Sequence, residues 1–147
     1  MKSIFEPDAQ KEIMERLNKL SSQTPAQWGK MNAAQMLAHC TLTMRVPVGD
    51  LDVKPTFFRY IGRFFKSMAT NDKPFSKSSP TAAEFVISDE RDFNIERSNF
   101  TVAFNKLVPG EHTVKISNHS FFGPMTPLEW GKLMYKHADH HFKQFGV

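Results

Sequence analysis

Several things are scarce in this 147-residue chain, and each scarcity excludes a class of protein. It has one cysteine, Cys40, so no internal disulfide can form, which fits a reducing compartment. No apolar run approaches the ~20 residues that a membrane-spanning helix needs. The opening stretch MKSIFEPDAQKEIMERL is interrupted by Glu6, Asp8 and Lys11 before the apolar core of a secretory signal could build up. The glycines are dispersed, so there is no glycine-rich phosphate loop. No G-x-S-x-G nucleophile elbow is present. HADHH at 137–141 carries Asp where the zinc-protease helix H-E-x-x-H carries Glu, and its spacing differs. A cytoplasmic protein with no membrane partner is the expectation.

What remains has ordinary globular composition, 40% hydrophobic and 23% charged, in a length that suits a single domain over 1–147. The net charge is +4, but the basic residues are scattered and mostly sit near acids. The densest excess is Arg59, Arg63, Lys66, Lys73 and Lys77, interleaved with Phe57, Phe58, Tyr60, Phe64 and Phe65. Helical amphipathicity reads this as a core-facing aromatic stripe with a solvated basic side. Nucleic acid is therefore not an expected partner.

Periodicity and caps divide the chain into helices. Ile13, Leu17 and Leu20 repeat at helical spacing, and Pro7 suits a first turn, which predicts a helix over 7–20. Asn32-Ala-Ala-Gln35 is a capping box that opens a second helix, to end before Pro47. A short third helix is predicted over 56–68, followed by a loop over 70–85. A fourth is predicted from Ser88, with Asp89 and Glu90 at its positive end, through Phe93, Phe100 and Phe104 to Leu107. Thr113 to Ser117 alternates like a strand, without an evident partner. Thr126-Pro-Leu-Glu129 is a second capping box, and it starts the last helix. The expected fold is all-α: an antiparallel four-helix bundle with an additional short helix and long connecting loops.

His137 and His141 lie four residues apart on that last helix, so both imidazoles project from one face. Such a pair is half of a metal site, or equally a surface pair near a helix C-terminus, where cations favour the dipole. His140 is turned about 100° from His141 and belongs at the rim. His39, on the second helix among Ala33, Met36 and Leu37, is a third candidate ligand or a satisfied core residue. Cys40 beside it reads as a small buried apolar residue. His119 and His112 sit in loops without helical partners. Glu84, Glu129 and Asp139 are carboxylates that no motif places as a general base.

Two segments, WGKMNAAQMLAHC (28–40) and FFGPMTPLEWGKLMYKHADHHFKQFGV (121–147), resemble the DinB/YfiT-like superfamily of metal-binding helical bundles. The likeness is closest to a subfamily of unknown function. The resemblance implies an up-down-down-up topology, frequent homodimers, and one divalent ion held by His39, His137 and His141. The family's H-x-x-Q tail is matched by His141 and Gln144. Where relatives often carry His-Pro before a Phe-Gly turn, this chain has His119-Ser120. Three imidazoles would leave an open position on zinc or nickel. The resemblance then implies a metal-dependent transferase using a low-molecular-weight thiol, or a hydrolase. The alternative is a non-catalytic, stress-related module whose metal site is structural or vestigial.

Overall fold

The computed structural model describes residues 1–55, 59–77 and 79–147. These are mostly helical, with one tiny hairpin. The elements are α1 (Pro7–Lys19), α2 (Ala33–Arg45), α3 (Arg59–Gly62), α4 (Lys66–Thr70), α5 (Phe93–Leu107) and α6 (Pro127–Gln144). Strands β1 (Asn118–His119) and β2 (Gly123–Pro124) pair antiparallel between α5 and α6. No described helix is long and apolar enough to cross a membrane.

Both capping boxes form as their sequences require. The Asn32 side chain accepts from the Gln35 N–H at 2.9 Å, and Gln35 Oε1 accepts from the Asn32 N–H at 3.0 Å. At α6, Thr126 Oγ1 accepts from the Glu129 N–H, and Glu129 Oε2 accepts from the Thr126 N–H. Each box satisfies donors that a helix start leaves open. The core is built from one face of every long helix: Ile13 and Leu17 of α1, Met36, Leu37 and Met44 of α2, Phe100 and Phe104 of α5, Trp130 and Phe142 of α6. α2 packs along α5, while α6 touches α1, α2 and α4. Arg16 stitches α1 to α6, donating to Asp139 Oδ1 at 2.7 Å and to the Val147 carbonyl at 2.9 Å.

Two expectations are corrected. α5 starts at Phe93, not Ser88: Asp92 is the cap, accepting from the Ile95 N–H at 2.9 Å. Arg91 pairs with both Asp89 and Glu96, and 88–92 run outside the helix. The alternating piece at 113–117, read as lacking a partner, joins no sheet. There, Glu111–Thr113 form a 3₁₀ turn, and the Lys115 and Ile116 N–H groups donate to the Pro47 carbonyl.

The second correction concerns the helix expected over 56–68, whose first three residues lie outside the described ones. From 59 onward it is two short helices joined by a 3₁₀ turn at Arg63–Phe65. Its aromatic stripe faces solvent: Tyr60 is 66% and Phe64 72% exposed, with Ile61, Phe65 and Met68 also exposed. The inner face is Gly62, Lys66 and Ala69, spaced i, i+4, i+7. Gly62 abuts the Phe121 carbonyl so closely that a Cβ would clash. Lys66 Nζ pairs with Glu129 at 2.8 Å. Small residues and an ion pair, not aromatics, seat this segment.

Candidate metal centre

α2 and α6 carry the three histidines singled out above. His39 lies two turns into α2 and is 4% exposed. His137 and His141 stand on successive turns of α6; His141 is buried and His137 keeps partial exposure. The ring centroids are 4.6 Å apart for His137 and His141, 4.9 Å for His39 and His137, and 4.7 Å for His39 and His141. Their ligating nitrogens all lie within 4.8 Å of one another, and His39 Nε2 is 3.0 Å from His137 Nε2.

The opposite ring nitrogens are all occupied. His39 Nδ1 is 2.8 Å from the Phe85 carbonyl, which can only accept, so Nδ1 carries a proton. His141 Nδ1 is 2.9 Å from Gln144 Oε1, while Gln144 Nε2 donates to the Trp28 carbonyl at 2.7 Å. The second bond orients the amide, so His141 also donates from Nδ1. His137 Nδ1 is 3.3 Å from Thr43 Oγ1, whose own proton goes to the Cys40 carbonyl at 2.9 Å. With Thr43 donating there, its oxygen accepts from His137.

His39 and His141 thus turn unprotonated Nε2 atoms toward one small volume, and His137 adds a third when Thr43 donates to the Cys40 carbonyl. The His39 and His137 Nε2 atoms, 3.0 Å apart, attract only with a proton or a metal cation between them. Two nitrogens at roughly 2.0–2.1 Å from a tetrahedral zinc stand about 3.3 Å apart. The donor set and its spacing therefore fit a divalent ion, and the orienting carbonyl, amide and hydroxyl are the outer partners that metal-bound histidines use. Electrostatics point the same way. Burial lowers the pKa of His39 and takes that of His141 down to about 3. Burial, then the neighbouring histidines, lowers His137 well below the usual range. All three are neutral at pH 7, the form that binds metals.

The other candidates have separate fates. His140 sits at the rim, edge-on to Trp28 and Phe75 at 5.9 Å each. His119 holds a turn: its Nδ1 accepts from the Phe121 and Phe122 N–H groups at 3.0 and 3.2 Å, and its ring lies 5.1 Å from Trp130. His112 is exposed. Cys40 is fully buried, and burial raises its thiol pKa, so it is inert. Of the carboxylates, Asp139 is committed to Arg16 and Lys143, Glu129 to its cap and Lys66, and Glu84 is exposed. None joins the histidine cluster.

Sequence reasoning missed Thr43 and the Phe85 carbonyl. Thr43 had a signal, since it lies at i+4 from His39 on the same helix face. A main-chain carbonyl has none. One further connection is Gly29, at φ +86°, packed so tightly on the Gln144 amide that a Cβ would clash. A cavity of about 340 Å³ lies away from the histidines, between α2 and α5, with Arg45, Arg91, Glu96 and Lys106 in its lining.

A family model described as a protein of unknown function (DUF1569) matches residues 4–146. The chain belongs to this family. No curated protein and no solved structure matches it. The DUF1569 match spans α2 and α6 and so takes in all three histidines.

Proposed function

We propose that this chain is a divalent-metal-binding protein of the DinB/YfiT-like kind, with His39, His137 and His141 as the ligands. The observation that carries the reading is the convergence of three imidazoles, two buried and His137 half-buried, whose Nδ1 atoms all have partners elsewhere. Zinc and nickel are the ions that suit an all-imidazole set. A bound ion with a remaining open position would supply Lewis acidity toward a water or a low-molecular-weight thiol. The chain's own part is to hold the imidazoles neutral and aimed, and to keep bulk water from most of the site. On this reading the activity is a thiol transfer or a hydrolysis. The packing of α2 along α5, and of α6 against α1 and α2, supports an up-down-down-up bundle.

Metal analysis of tag-free protein tests the binding. The expected result is one ion per chain for the natural sequence and none for the combined His39→Ala, His137→Ala, His141→Ala variant. Equal metal in both would end the proposal. A second reading, a metal-stabilised module without catalysis, is favoured by one observation: among the described residues no carboxylate joins the histidine cluster to serve as a general base. It predicts a zinc-dependent rise in melting temperature with no turnover of thiol or ester substrates.

A further inference from the structure

The stretch between α4 and α5 approaches the candidate centre at three points, on either side of residue 78. Phe75 lies edge-on to His140 and beneath Lys136 Nζ, 4.6 Å from its ring centre. Lys77 Nζ stands 4.5 Å above the Trp28 ring. Phe85 sets its ring edge-on to His39 at 6.4 Å and offers its carbonyl to His39 Nδ1. Residues 83–85 form a single 3₁₀ turn, and Val86 and Glu84 are exposed. Segments with so few buried contacts open at low free-energy cost.

His39 can offer Nε2 to a metal only as the tautomer with its proton on Nδ1. The acceptor that fixes that tautomer belongs to this strap, not to either ligand-bearing helix. We infer that the strap of residues 74–77 and 83–86 is a positioning element of the metal centre. Its docking and the binding of a divalent ion stabilise each other, and Phe85 is the residue through which they do so. The inference rests on the metal-binding reading. Its logic is linkage: if the docked strap raises the affinity of the ion, the ion raises the population of the docked strap by the same factor.

Hydrogen exchange on the full chain, with chelator and with one equivalent of zinc, tests this beside a zinc titration. The expected result is zinc-induced protection of the fast-exchanging amides in peptides covering 83–86 and 74–77, beyond that of other exposed segments such as 20–31. Phe85→Gly should weaken zinc binding by about tenfold or more, the usual size for an outer partner of a metal-bound histidine. Phe85→Leu, which keeps the backbone stiffer and the site apolar, should restore most of it. Nitrogen-15 spectra of the metal-free Phe85→Gly chain should show the Nδ1–H form of His39 diminished and that of His141 intact. Zinc that binds without protecting the strap overturns the coupling while sparing the metal site. A failure to bind zinc at all removes the metal reading, and the coupling with it.

Discussion

Thr43 shows how much can depend on one hydroxyl. It gives its proton to the Cys40 carbonyl and takes one from His137 Nδ1, which leaves His137 Nε2 free for a cation. Turned the other way, the same hydroxyl donates to Nδ1, and His137 can then donate from Nε2 to His39. Valine has the same shape and neither capacity. Thr43→Val should leave the fold intact and weaken zinc binding about tenfold, and Thr43→Ser should bind nearly as the natural chain does. Competition with a coloured chelator measures both; equal affinity in the valine variant would show that His137 needs no orienting partner. At this scale the three clustered histidines were legible as candidates because side-chain type and helical spacing are written in sequence. Gln144 was legible only through the resemblance, as the H-x-x-Q tail. The Phe85 carbonyl was not, since every residue has one and only the folded chain brings it to His39.

Among the elements, the caps were the most readable feature. Asn32 and Thr126 each offer a short acceptor three residues ahead of an amide that can reach back, and both helices start there. The start of α5 was less legible because Ser88, Asp89 and Asp92 can all cap. Asp92 caps the helix, while Arg91 draws Asp89 and Glu96 into local ion pairs. The α3–α4 segment teaches a different lesson. Periodicity says which residues share a face, not which face meets the core. Gly62 and Ala69 allow close approach, so the inner side is the one without bulk. A polar residue in place of an outward aromatic should therefore be harmless. Phe64→Ser should change stability by no more than about 0.5 kcal/mol in urea unfolding, as for other surface substitutions. A loss of several kcal/mol would mean the ring is buried after all.

The molecule as a whole carries buried neutral histidines, and that fixes the sign of its pH response. Burial lowers His119 to about 4 and His141 to about 3, against about 6.5 in an unfolded chain. Between those values the unfolded state takes up protons that the folded state refuses. Stability is therefore full above about pH 6.5 and declines as the pH falls toward 4. Urea midpoints in the presence of chelator should drop between pH 7.5 and 5. His119→Asn retains an acceptor for the Phe121 and Phe122 amides but cannot titrate, so its midpoint should fall less steeply. A midpoint flat across that range would contradict the burial assigned to these rings. The helical class was legible from composition and periodicity, whereas the paths of the connecting segments were not. They are set by contacts such as Lys136 reaching the carbonyls of Met68 and Asn71, which join residues more than sixty positions apart.

Gly29 touches no histidine, yet it has room for nothing larger than hydrogen against the amide that orients His141. A saturation screen read out by zinc uptake would thus score an intolerant position in a surface turn, ten residues upstream of His39. Even alanine there would displace Gln144, and the injury would be felt at an imidazole on the opposite segment of the chain.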